Sequence, residues 1–379
     1  DLAGNALPNT EPVTDETYVI DNTRPATSDG QVTTGEDTDY TFAADDFNFM
    51  GINPGDTLSA VKITSLPSAG TLQWNDGTVW QDVILDQEIS KASIDADKLR
   101  LAPAANANGS PYATFQFQVS DGTAYSVSAT MTVNVTAVND APALTAGTIS
   151  PITVAEDSAN ATAETLGLTG VTYGPGGGTD ESAQTLTYKV TAIPAFVTLY
   201  KADGTTQVNV DDTLTAAELE GLTYKTVANA NGTGDITWTV TDDGTPAETL
   251  TQTLAITVTA VNDAPTAANN TVATPQDTAY VFAVADFNFA DVDTGDDLSA
   301  VKITVLATAG TLQWNDGTTW QDVTVDQEIT KADVESGRLR FVPAAGATGS
   351  PYATFEFKVK DAGGPALSTL AYTMTINVT

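Results

Sequence analysis

The sequence predicts an all-β chain of tandem antiparallel β-sandwich domains strung in an elongated array, and three observations carry that reading. A segment of about 120 residues recurs: Glu36-Asp37, Glu156-Asp157 and Gln276-Asp277 mark its three copies. The outer copies are the closer pair, since Phe47-Asn48-Phe49 returns as Phe287-Asn288-Phe289 and residues 70 to 78 return as 310 to 318. Within each copy, apolar residues alternate with polar ones, as in Phe115, Phe117 and Val119 around Gln116 and Gln118. Period two with one apolar face marks a half-buried strand. Gly, Pro, Asn and Asp separate about seven such runs per copy, the spacing of a small sandwich.

Residues 1–25, with Leu2-Ala3-Gly4-Asn5 and Tyr18-Val19-Ile20, read as the end of an upstream module or an N-terminal strand and linker. Domains are expected over 26–140, 141–263 and 264–379, and both ends look cut from a longer array. The joints are Val138-Asn139-Asp140-Ala141-Pro142 and Val261-Asn262-Asp263-Ala264-Pro265. Proline stops the preceding Thr/Val strand, while Asn and Asp bring side-chain oxygens to the joint. The alternation repeats at Ile236, Trp238, Val240 and at Phe355, Phe357, Val359. Thr215-Ala216-Ala217-Glu218 has capping-box spacing, matched by Ser90-Lys91-Ala92 and Thr330-Lys331-Ala332, and each predicts one helical turn in a crossover.

Composition narrows the function. Among 379 residues there are 14 basic and 49 acidic side chains, a net charge of −35, with no His and no Cys. Disulfides, zinc fingers, thiol nucleophiles and Ser-His-Asp triads are therefore excluded. So acidic a surface repels phosphates and anionic lipid, so neither nucleic acid nor direct membrane insertion is expected, and no long apolar run exists to span a bilayer. A hydrophobic content of 41% suffices for a core in each domain. Absence of Cys fits a reducing cytosol or an exported protein equally.

The sharpest chemical signal is Asp291-Val292-Asp293-Thr294-Gly295-Asp296-Asp297. Carboxylates at alternate positions with a glycine to turn the chain let a loop wrap oxygens around one hard cation, and Ca²⁺ takes about six to eight of them. Oxygen-only ligands select Ca²⁺ or Mg²⁺, and crowded carboxylates repel until a divalent ion neutralises them. The competing reading is a solvated acidic turn on a highly charged surface.

Through Glu156-Asp157, the Asn262-Asp263-Ala264-Pro265 linker, the Asp291-x-Asp293 loop and the late Asp361, the chain resembles the cadherin-like (Ig-like) tandem repeats of large bacterial surface adhesins. The resemblance covers all three copies from about residue 25. It implies calcium ions at the domain joints, held at the second joint by Glu156, Asn262, Asp263, Asp291, Asp293 and Asp361. At the first joint it implies Glu36, Asn139, Asp140 and Asp242, where the loop reads Gly178-Thr179-Asp180-Glu181-Ser182; either Asp180 and Glu181 stand in, or the site is weaker. Copy one has Gly51-Ile52-Asn53-Pro54-Gly55-Asp56 in place of the double-Asp loop, and copy three has Gln276 in place of Glu. The resemblance further implies an extracellular, non-catalytic extension segment on a bacterial surface or secreted, its partners being neighbouring domains of the array.

Two other readings stay open on sequence. Trp74 with Trp80, and Trp314 with Trp320, flank Asp-Gly turns, where a three-residue loop would set the indoles opposite each other. Exposed together they would stack on a glycan; buried, they are cross-strand packing, which the neighbouring Leu72 favours. Alternatively the strand-like Tyr18-Val19-Ile20 would complete a sheet edge in another copy, giving a self-assembled filament. No acid pair is singled out for glycoside hydrolysis, and Gly174-Pro175-Gly176-Gly177-Gly178 lacks the Lys-Ser or Lys-Thr of a phosphate loop, so no enzyme is expected.

Overall fold

The structure, a computed structural model, describes residues 23–364 and 366–379; the strand-like Tyr18-Val19-Ile20 lies outside them. The first stretch builds two sheets. Five strands lie in the order Gly30–Gly35, Ala129–Thr136, Gly109–Ser120, Ala60–Ser65 and Glu88–Ser90. Four lie in the order Tyr40–Thr41, Leu99–Ala102, Thr71–Asn75 and Trp80–Asp82. The third stretch repeats both sheets, from Asn270–Thr274 to Tyr372–Val378, with the same strand order. The middle stretch has its own five-stranded and four-stranded sheets, plus a two-stranded pairing of Ala143–Ala146 with Thr172–Gly174.

Alternation decides which face is inside. Phe115, Phe117 and Val119 are buried, as are Phe355, Phe357, Val359 and, in the middle stretch, Ile236, Trp238 and Val240. Phe42 meets Phe115 edge-on at 5.7 Å and Phe47 meets Phe117 at 5.1 Å; Phe282 with Phe355 and Phe287 with Phe357 repeat the arrangement at 5.6 and 5.0 Å. Edge-to-face contact sets a ring's positive rim against its neighbour's negative face.

One ladder in each five-stranded sheet departs from the antiparallel expectation. Gly30–Gly35 runs parallel to Ala129–Thr136, Ile152–Ala155 to Thr249–Thr259, and Asn270–Thr274 to Tyr372–Val378. Strands so distant in sequence need no tight turn, so either direction is open to them. The helical turns fall where capping placed them, at Lys91–Ile94, Ala216–Glu220 and Lys331–Glu335. Thr215 and Glu218 form the reciprocal box: Glu218 N–H donates to Thr215 Oγ1 at 3.2 Å and Thr215 N–H to Glu218 Oε2 at 2.9 Å.

The chain divides into two compact units. One comprises residues up to Thr145 with Tyr173–Thr187 and Val240–Leu250; the other comprises Ala146–Thr172, Tyr188–Thr239 and Thr251–Thr379. Each unit contains one Asn-Asp-Ala-Pro linker and the loops that close on it.

Candidate metal centres at the two linkers

In the second unit, the parallel strand Ile152–Ala155 delivers Glu156 to the end of its sheet, where the side chain is 2% exposed. Its Oε1 accepts the Val261 N–H at 2.8 Å, and Asn231 Nδ2 donates to both oxygens at 3.3–3.4 Å. The linker then meets the acidic loop: Asp263 N–H donates to Asp293 Oδ2 at 2.7 Å, and Asp293 N–H to Asp291 Oδ1 at 2.9 Å. Asp361, buried at the end of Gly349–Asp361, accepts from Gly364 N–H and from Asn262 Nδ2. The second linker thus gathers Glu156, Asn262, Asp263, Asp291, Asp293 and Asp361. A cavity of about 410 Å³ opens there, lined in part by Asn229, Asn231, Asn262, Asp293 and Asp296.

The first unit repeats the plan with a different loop. Glu36 is 2% exposed; its Oε1 accepts the Val138 N–H at 2.7 Å and its Oε2 accepts from Asn108 Nδ2 at 3.2 Å. Asp140 N–H donates to Glu181 Oε1 at 2.5 Å, the contact that Asp263 makes with Asp293 in the other unit. Glu181 is buried there, whereas Asp180 is exposed beside it. Asp242 accepts from Asn139 Nδ2 and from the Gly244 and Glu248 amides, and Gln184 Nε2 donates to Asn139 Oδ1 at 2.6 Å.

Sequence reasoning missed the asparagines. Asn106 Nδ2 donates to Asp140 Oδ2, and Asn106 N–H to Asp37 Oδ1. Asn229 N–H donates to Asp157 Oδ1 in the same way. The signal was a repeated Asn-x-Asn-Gly at 106–109 and 229–232. Asp296 was likewise passed over for its neighbours.

Electrostatics mark the linkers as crowded. Burial, then the charges of Asp37, Glu36 and Asp180, push Asp140 above the ordinary carboxylate range. Burial, then Asp157, Asp293, Glu156 and Asp291, do the same to Asp263. Several buried oxygens find no hydrogen-bond partner: Glu181 Oε2 and Asp242 Oδ2 in the first unit, Asp263 Oδ2 and Asp291 Oδ2 in the second. Anionic oxygens stripped of water and donors are what a hard cation satisfies. Two glycines lie close against these side chains. A Cβ on Gly244 would lie 1.7 Å from Asn139 Oδ1, and one on Gly363 would lie 2.1 Å from Asp296 Oδ2. Still, no group of three or more Asp or Glu side chains among the described residues is drawn close enough to hold a metal ion by itself.

The tryptophan hairpins differ from the expected arrangement. The connection between Thr71–Asn75 and Trp80–Asp82 is one residue longer than expected, so Trp80 pairs with Asn75, and Trp74 with Gln81. Trp74 therefore packs on the core, while Trp80 lies on the outer face with Arg100 stacked at 4.0 Å from its ring centre. Trp320 and Arg340 repeat the stack at 3.7 Å. The indoles sit on opposite faces and form no paired sugar platform. Among the described residues, no helix is long and apolar enough to cross a membrane.

No protein-family model matches the chain, and no curated protein matches it. Among solved structures it is similar to protocadherin gamma B2 extracellular cadherin domains 3–6, at 11% identity and a TM-score of 0.43 over 94% of this chain and 73% of that one. It is also similar to mouse cadherin-23 EC22–24, at 14% identity and a TM-score of 0.39 over 94% of this chain and 99% of that one. The sheets and linker sites described above stand independently of these likenesses.

Proposed function

We propose that the chain is a non-catalytic extension segment of a bacterial cell-surface adhesin, acting outside the cell, whose three tandem sandwich domains, 26–140, 141–263 and 264–379, are stiffened by calcium at their two linkers. The observation that carries the reading is a pair of buried carboxylate oxygens without a hydrogen-bond partner at each Asn-Asp-Ala-Pro linker, Glu181 Oε2 and Asp242 Oδ2 at the first and Asp263 Oδ2 and Asp291 Oδ2 at the second. A divalent cation would supply charge neutralisation and bonds to these oxygens.

The chain's own residues do the rest. Glu36 and Glu156 hold the linker amides of Val138 and Val261, which fixes where each linker leaves its sheet. Glu181 and Asp293 hold the next amides, those of Asp140 and Asp263, which ties the linker to the following loop. At the first linker the ligand set is Glu36, Asn139, Asp140, Asp180 or Glu181, and Asp242; at the second it is Glu156, Asn262, Asp263, Asp291, Asp293 and Asp361. The carboxylates must close further to share one ion. Without it their mutual repulsion loosens the joint.

Small-angle scattering in millimolar calcium and in excess chelator tests the reading. We expect a stiff particle whose mean maximum dimension falls and whose flexibility rises on chelation. Identical curves would overturn it.

A further inference from the structure

The outer copies are nearly the same protein in their cores, and they differ at opposite ends. Phe42, Phe47, Val61, Ile63, Leu72, Phe115 and Phe117 recur unchanged as Phe282, Phe287, Val301, Ile303, Leu312, Phe355 and Phe357. Yet the four carboxylates Asp263, Asp291, Asp293 and Asp297 at the leading end of copy three are Thr23, Gly51, Asn53 and Thr57 in copy one. At the trailing end the exchange runs the other way: Glu36, Asn106 and Asn108 of copy one are Gln276, Gly346 and Thr348 in copy three.

We infer that, among the described residues, cation clasping belongs to the two linkers at 138–142 and 261–265, and that the leading end of copy one and the trailing end of copy three, where fewer carboxylates meet, are closed by hydrogen bonds that need no ion. This rests on the calcium reading above. Its support is local geometry. Where copy three sets Asp263 against Asp293, copy one sets a hydroxyl against an amide: Asn53 Nδ2 donates to Thr23 Oγ1 at 2.5 Å. The loop then closes on itself, Asp56 Oδ2 accepting the Ile52 and Asn53 amides at 3.0 and 2.7 Å. Gly51 permits this, because a Cβ there would lie 2.5 Å from Asp56 Cβ. A single carboxylate oxygen there, Asp121 Oδ2, is buried without a partner, against two at each linker, and Asp121 Oδ1 is held by Thr123 and by the Ala124 amide. At the trailing end of copy three, Gly346 N–H still donates to Asp277 Oδ1 at 2.7 Å. Gln276, however, is exposed and carries no charge, where Glu36 and Glu156 are buried and present carboxylate oxygens to Asn108 and Asn231. A neutral side chain there lowers the anionic count open to a cation.

Calcium titration calorimetry on the whole chain decides the matter. The parent is expected to show saturable uptake, and the quadruple variant Glu36→Gln, Asp140→Asn, Asp263→Asn, Asp293→Asn is expected to lose all of it while keeping its far-ultraviolet circular dichroism. Saturable uptake surviving in that variant would overturn the confinement and leave the stiffened linkers standing. No saturable uptake by the parent would overturn both. A gain variant guards against misfolding: Thr23→Asp with Asn53→Asp restores the acid pair, and is expected to raise the parent's calcium stoichiometry. An unchanged stoichiometry in that folded variant would overturn the inference.

Discussion

A single buried carboxylate does two jobs at each linker, and substitution can separate them. Glu156 accepts the Val261 amide, for which a neutral amide oxygen serves as well, and carries a charge, for which it does not. Glu156→Gln is therefore expected to melt like the parent in chelator, yet to bind calcium at least tenfold more weakly at the second linker by titration calorimetry. The pair Asp291→Ala and Asp293→Ala removes more, including the acceptor for Asp263 N–H. It is expected to loosen that linker on a scattering profile without unfolding the first two copies; a variant as stiff as the parent would sink the assignment. Away from the linkers, Asp76 shows the opposite electrostatics. The Thr78 hydroxyl, then the Val79 and Thr78 amides, lower its carboxyl from 3.8 to about 2. A folded value below the unfolded one means support that is present above the ordinary carboxylate range and lost as acid titrates the folded group. The amide resonance of Thr78 is expected to move with a midpoint near that lowered value, and to stop titrating there in Asp76→Asn.

At the scale of elements, stability lies in alternating strands and short caps. Phe117 is fully buried and packed edge-on against Phe47, so Phe117→Ala is expected to cost about 3–5 kcal/mol in chemical denaturation. Thr215→Ala breaks one half of a capping box on a five-residue helix and is expected to cost about 1 kcal/mol. The same contrast explains what was legible beforehand. Phe115, Phe117 and Val119 announced a strand because side-chain period is a local property, and Thr215 with Glu218 announced a helix start for the same reason. The 3₁₀ turns Ala44–Phe47 and Val284–Phe287 were hidden, since the residues before them are Ala43 and Ala283, and their N–H groups are capped from inside the turn by Asp46 and Asp286. The parallel first strands were hidden too, because direction there is set by a partner about a hundred residues away. At the linkers, charge pointed to the acids, whereas Asn106, Asn108, Asn229 and Asn231 carry none and are recognised only by what they hold.

For the whole molecule the question is whether calcium acts at sites or on net charge, since a chain at −35 gains stability from any added cation. The two effects scale differently. Screening depends on ionic strength, and at 0.15 M the Debye length is already about 8 Å, so a millimolar addition changes little. Site binding depends on free ion relative to Kd, and at a hundredfold excess each saturated site adds about 2.7 kcal/mol, provided the unfolded chain does not bind. In 150 mM sodium chloride, calcium at that excess is thus expected to raise Tm by roughly 5–10 °C for the unit that carries a linker site. Sodium chloride matched in ionic strength is expected to move it by less than about 1 °C. Magnesium is expected to fall between them, because it favours a small, rigid octahedral shell over loosely gathered carboxylates. If sodium reproduced the calcium shift, the acids at 138–142 and 261–265 would be solvating groups, and the buried oxygens of Asp242, Asp263 and Asp291 would need another partner. If calcium alone produced it, and Glu156→Gln removed the part belonging to the second unit, the stabilisation would be assigned to the linker carboxylates themselves.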